Sequence, residues 1–185
     1  MYEILILTFL VIVIFVSNYY VMKLGDKHYT DNTSCELYDM FHEILPDLTQ
    51  YHFIVDLILL SSIVSLFFLS NETLTTEFLA KFVIIMFIRA FTTLVTILPK
   101  HENCDSKLSL RSFILGGCYD KIFSGHTSFT LLLTLLYYRE HIIGLVPMLG
   151  INLLNILAIL SVRSHYSVDV LLAIFVTTTI YSIKV

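Results

Sequence analysis

The chain has 185 residues, of which 57% are hydrophobic and only 14% charged, and its mean hydropathy is +0.83. Soluble domains carry about one quarter charged residues, so water is excluded as the principal solvent of this fold. A net charge of -4, with no basic stripe interleaved with aromatics, excludes nucleic-acid binding. The three cysteines, Cys35, Cys104 and Cys118, lack the close pairing of zinc or redox motifs.

Six apolar runs, at about 4–22, 52–69, 77–98, 123–138, 142–161 and 168–183, are predicted to be membrane-spanning helices. Lipid leaves unpaired backbone groups without partners, which makes each run helical. The prediction is an all-α, six-helix transmembrane bundle forming one domain over residues 1–185. The first run follows acidic Glu3 and lacks a small-residue cleavage site, so it reads as a retained helix rather than a signal peptide. Loops 23–51 and 99–122 hold most of the charge, and by parity they emerge on one face together with the loop after the fifth span. The fourth and sixth spans are short, which brings their N-termini to the level of lipid phosphates.

Polar residues then appear in chain order. Glu43 and Asp120 are candidate contacts for a cationic headgroup, or solvated loop carboxylates. Arg89 stands inside the third span, nine residues before its end at about 98, next to Pro99, and so about 13 Å from that end. A charge so placed marks a substrate site or an internal ion pair, with Asp56 a candidate partner; snorkelling is the alternative. Lys121 and Arg163 could each neutralise a phosphate or anchor the chain at the interface.

The fourth span opens on Phe123-Ser124-Gly125-His126-Thr127. A Ser-Gly-His turn at a helix start offers backbone N–H groups, a hydroxyl and an imidazole to an anion, aided by the helix dipole. Alone, Ser124 reads equally as an N-cap and His126 as an interfacial histidine. The last span follows Arg163-Ser164-His165-Tyr166-Ser167-Val168-Asp169. If its helix extends back by one turn, Asp169 can hydrogen-bond His165, fix its tautomer and leave it nucleophilic. Alone, Ser167 reads as a cap and Asp169 as a complement to the dipole. Together the clusters supply what a two-step phosphoryl transfer requires: His165 attacks, His126 protonates the leaving alcohol, and cationic side chains take the place of a metal.

These motifs resemble the second and third signatures of the type 2 phosphatidic-acid phosphatase superfamily, more closely its sphingomyelin synthase branch. Cys118-Tyr119-Asp120-Lys121-Ile122-Phe123-Ser124-Gly125-His126-Thr127 is similar to the branch's Cys-Gly-Asp-x-x-Phe/Tyr-Ser-Gly-His-Thr block, with Tyr119 at the glycine. His165-Tyr166-Ser167-Val168-Asp169-Val170 resembles its His-Tyr-Thr-x-Asp-Val block, Arg89-Ala90-Phe91-Thr92 through Pro99 its third-helix motif, and Leu45-Pro46-Asp47 its Leu-Pro-Asp element. Arg163 lies only two residues before His165, whereas soluble phosphatases of the superfamily have a longer gap. No counterpart of the cytosolic N-terminal domain of several members precedes the first span, so regulation through one is not expected.

The resemblance implies transfer of a phosphorylated headgroup from a glycerophospholipid to ceramide through a phosphohistidine on His165, releasing diacylglycerol. Phosphocholine leads over phosphoethanolamine and phosphoinositol. It further implies His126, His165 and Asp169 as catalytic residues, Ser124, Gly125, Arg89, Lys121, Arg163 and Asp120 around the phosphate, no cofactor and no metal. The partners are membrane lipids, and homo-oligomers are compatible with the chain. A lipid hydrolase using the same triad is the alternative; a non-enzymatic lipid binder or scramblase would not need the intact triad. The implied location is the Golgi, another endomembrane or the plasma membrane, with a lumenal or exoplasmic site. The positive-inside rule points the other way, since seven of the eleven Lys and Arg residues lie in the active-face loops.

Overall fold

The computed structural model describes residues 2–29, 37–98, 119 and 121–183. Asp120, the three cysteines and Pro99 lie outside the described residues. Helices α1 (Tyr2–Tyr29), α2 (Met40–Ile44), α3 (Phe53–Leu69), α4 (Glu72–Val95), α5 (Gly125–Arg139), α6 (Leu145–Ser161) and α7 (Ser167–Ser182) follow one another, with a single 3-10 turn at Thr49–Tyr51 before α3. There is no strand among the described residues.

All six predicted runs are helical, and their bounds move where a cap or a packing contact outweighs hydropathy. α4 starts at Glu72 rather than 77 because Asn71 accepts the Leu74 N–H at 2.8 Å and so begins the helix before the apolar run. It stops at Val95 rather than 98, ahead of Pro99, which disfavours helix in the residue before it. α1 continues past 22 to Tyr29, where Val21 and Met22 are buried and Gly25 packs against the Tyr119 ring. A Cβ at Gly25 would meet that ring, so only glycine lets the helix approach so closely.

α5 is the centre of the bundle and packs against α3, α4, α6 and α7, while α1 lies along α4. Phe129 of α5 meets Phe78 and Phe82 of α4 edge-on, with ring centroids 4.9 and 5.1 Å apart. Leu132, Leu133 and Leu136 complete the buried face. The outward faces are apolar too: Leu57, Leu60, Phe67 and Phe68 on α3, and Leu171 and Phe175 on α7, are all exposed. Such surface in a monomer calls for a non-aqueous or protein neighbour. Thr49–Leu69 (21 residues, mean hydropathy 2.2) and α4 (24 residues, 2.0) are long and apolar enough to cross a membrane; α6 and α7 are apolar but shorter. Together these features indicate a membrane-associated protein.

At one end of the bundle an ion cluster ties three helices. Arg139, closing α5, holds Glu77 of α4 through both guanidinium nitrogens at 2.7 and 2.6 Å. Lys81, only 2% exposed, lies 3.0 Å from Glu77 and donates to the Tyr181 carbonyl of α7 at 2.9 Å. Lys81 is buried while Glu77 and Arg139 are partly exposed, so losing the Glu77 carboxylate strands chiefly the Lys81 ammonium. Glu77→Gln should therefore cost about 2 kcal/mol, while Glu140→Gln, at an exposed bond to Arg139, should stay within about 0.5 kcal/mol. Thermal melts in detergent measure both, and equal melting temperatures for the two variants would contradict the cluster's role.

Candidate functional site

The predicted site residues other than Asp120, which lies outside the described residues, gather at the other end, where α5 and α7 begin and α6 ends. Ser124 is the N-cap of α5: its Oγ accepts the Thr127 N–H at 3.3 Å and the Thr127 hydroxyl at 3.0 Å. Its own N–H donates to the Asp169 carbonyl at 3.4 Å, which joins the starts of α5 and α7. Arg89, 5% exposed, donates its Nε to the Phe123 carbonyl at 2.8 Å. Its Nε would also lie 3.5 Å from a Cβ placed on Gly125. A guanidinium and the positive end of the α5 dipole therefore share one small volume, an arrangement of the kind that receives anions.

α6 ends in a Schellman turn, with Ser164 N–H bonded to Ile159 O and Arg163 N–H to Leu160 O, both at 3.2 Å. Arg163 takes the left-handed position at φ 59°, and this reversal delivers His165 to the site. Its guanidinium is spent on backbone, donating to Leu45 O at 3.1 Å and Leu160 O at 3.5 Å. The side chain predicted to neutralise phosphate thus fastens the Leu45 loop to the end of α6. Lys121 keeps its ammonium 5.0 Å above the Tyr166 ring.

His165 is buried, and its Nδ1 lies 2.8 Å from the Lys121 carbonyl. A carbonyl oxygen only accepts, so Nδ1 carries the proton and Nε2 of the neutral ring carries the lone pair. This corrects the expected geometry. α7 does not extend back over His165 but starts at Ser167, and Asp169 spends Oδ2 on the Tyr166 N–H at 2.9 Å. That oxygen is 3.8 Å from His165 Nδ1, beyond a hydrogen bond yet close enough to stabilise a positive ring. Asp169 Oδ1 is buried with no hydrogen-bond partner among the described residues. On α5, His126 Nε2 lies 3.9 Å from Asp56 Oδ1 of α3, which brings next to His126 the carboxylate considered as a partner for Arg89.

Residues 117–185 match the protein-family model described as PAP2 superfamily C-terminal. That segment spans α5, α6 and α7 with both histidines, and the match supports the type 2 phosphatidic-acid phosphatase superfamily and enzymatic chemistry of the phosphatase or phosphotransferase kind. A search of curated proteins finds no match.

Two residues of this region escape sequence reading. Asp39 caps α2 by accepting the N–H groups of Phe41 at 3.0 Å and His42 at 3.3 Å, and it also accepts from Ser167 at the start of α7, through N at 2.6 Å and Oγ at 2.7 Å. His42 places Nε2 3.1 Å from the His165 carbonyl and stacks on Tyr166, with centroids 5.5 Å apart. The only signal for them is Asp39, placed to cap a helix of five residues, Met40-Phe41-His42-Glu43-Ile44.

Both groups titrate away from their ordinary values. Burial holds the His42 imidazole below its usual 6.5; the Lys121 and Arg163 cations add to that, and its bond to the His165 carbonyl opposes it. Burial tends to raise Asp39, but hydrogen bonds from the Ser167 hydroxyl and amide and from His42 outweigh it and hold the carboxyl below 3.8. A lowered value means that the unfolded chain binds the proton more readily, so each group's contribution is complete above its unfolded value and is lost as pH falls. The His42 contribution should decline first, below about 6.5, and the Asp39 contribution only in stronger acid. Melting temperature should fall between about pH 7 and pH 5 in the parent and fall less in His42→Gln, which cannot titrate. Parallel pH profiles would refute the assignment.

Proposed function

We propose that the chain is a multi-pass membrane enzyme of the sphingomyelin synthase kind, moving a phosphorylated headgroup, phosphocholine foremost, from a glycerophospholipid to ceramide. The observation that carries this reading is the His165 tautomer: with the Nδ1 proton committed to the Lys121 carbonyl, the Nε2 lone pair is available for phosphorus. The superfamily match supports the chemistry, and the family motifs quoted from the sequence support the branch.

In the first step Nε2 of His165 forms a bond to the donor phosphorus. The bond from phosphorus to the diacylglycerol oxygen breaks, and that oxygen takes a proton from His126. In the second, the primary hydroxyl oxygen of ceramide attacks phosphorus, its proton goes to His126, and the phosphorus–nitrogen bond breaks to free His165. Asp169 steadies the charge that develops on His165. Arg89 and the N-terminus of α5, with Ser124 and Gly125, receive the phosphate, Lys121 flanks it, and no metal is needed. Six helices would cross the membrane as one domain, with the site at a lumenal or exoplasmic face. A hydrolase reading needs only water in place of ceramide.

Donor labelled with phosphorus-32, supplied without ceramide, should leave acid-labile, alkali-stable label on the protein, and His165→Ala should leave none. Ceramide turnover at the normal rate with no label under a fast acid-free quench would overturn the two-step scheme. His126→Ala should lose at least about a hundredfold in rate, less with a donor whose leaving group needs no proton. Equal losses with good and poor leaving groups would exclude His126 as the acid. Mass analysis of the product from a panel of phospholipids with fluorescent ceramide separates transfer from hydrolysis.

A further inference from the structure

His165 has no regular structure of its own, because it lies between the end of α6 and the start of α7. Its imidazole is fixed by Lys121, but the backbone that carries the imidazole is fixed from elsewhere. The His165 carbonyl meets His42 Nε2 at 3.1 Å. The next residue, Tyr166, lies under the His42 ring. The residue after that, Ser167, gives both its N–H and its hydroxyl to Asp39. One carboxylate thus caps α2 and α7 together, and in the segment bearing it Leu45 O accepts from Arg163 and the Leu48 N–H donates to Ser161 O at 2.9 Å. Residues 39–48 bind 161–167 through hydrogen bonds and a ring stack, all across more than a hundred residues of sequence.

We infer that Asp39 and His42 are positioning residues for His165, holding the backbone on its C-terminal side so that Nε2 meets phosphorus in line. The inference rests on the proposed role of His165 as nucleophile. The chemistry at His42 is specific: a carbonyl acceptor requires an N–H at the Nε2 position, and a glutamine amide can place one there. The chemistry at Asp39 is equally so. It accepts from Phe41, His42 and Ser167, and an amide has only one accepting atom in place of two.

The test combines kinetics with a measurement that needs no catalysis. His42→Leu should lower kcat about ten- to a hundredfold, the scale of a misplaced reacting group, with KM for the donor little changed. His42→Gln should recover most of that rate. Asp39→Asn should lower kcat less than Asp39→Ala, again with KM held. Amide hydrogen exchange in the 165–169 segment should quicken in Asp39→Ala and in His42→Leu, while a peptide from α5 keeps its parent rate. Wild-type kcat in His42→Leu, or a glutamine variant no better than leucine, overturns the positioning role. Unchanged exchange at Ser167 in Asp39→Ala overturns the clamp itself. If His42→Leu does not accumulate as folded protein, Asp39→Asn and His42→Gln carry the same comparison. If the parent protein takes no label from the donor, the nucleophile assignment fails, and the exchange measurement alone still decides whether the clamp exists.

Discussion

The hydrogen bond from His165 Nδ1 to the Lys121 carbonyl is the contact on which the rest of the site depends. It joins the approach to α5 with the approach to α7, and it decides which imidazole nitrogen has electrons to share. A carbonyl does this without adding a full charge, so the ring is oriented by a dipole rather than by an ion. Asp169, at 3.8 Å, acts through space. Two unit charges at that separation attract by about 4 kcal/mol in an effective dielectric of 20, so the carboxylate matters most once the ring becomes positive. Orientation and charge stabilisation are therefore divided between two groups rather than combined in one carboxylate.

The helices place this arrangement by their ends. α5 has 15 residues and rises about 22 Å. Its N-terminus brings together the first N–H groups of the helix, the Ser124 cap and the Arg89 guanidinium. Among the described residues the opposite end holds no comparable reactive set. There the charges of Glu77, Lys81 and Arg139 are spent on one another and on the Tyr181 carbonyl, which locks α4, α5 and α7 together. One end of the bundle is closed by ion pairing, and the other gathers the Arg89 guanidinium at the start of α5.

Hydropathy was enough to place the six helices, because apolar runs in this chain have little choice of backbone. It failed at their ends, where single side chains decide: Asn71 started α4 early, and the packing of Gly25 on Tyr119 carried α1 on. The spacing of His126, His165 and Asp169 likewise pointed to their neighbourhood. What spacing could not reveal was the use of the main chain. Lys121 was noticed for its ammonium, yet its carbonyl is the group that holds His165. Arg163 was noticed for its charge, yet it serves a left-handed turn and two backbone oxygens. Asp39 and His42 were invisible because a five-residue helix has no periodicity to detect, and their partners lie more than 120 residues away.

Asp169 shows how closely structure and chemistry are interwoven at such a site. Its Oδ2 closes the first turn of α7 on the Tyr166 N–H, and the same atom is the one nearest His165. The capping bond sets the rotamer of the carboxylate, and the rotamer sets the distance to the imidazole. Its other oxygen is buried without a hydrogen-bond partner among the described residues, a cost that a side chain serving only as a cap need not bear, since a serine or asparagine could satisfy the same N–H. An acid at this position is thus explained less by α7 than by the ring beside it. The helix supplies the geometry, and the surplus negative charge is left for a cation on His165.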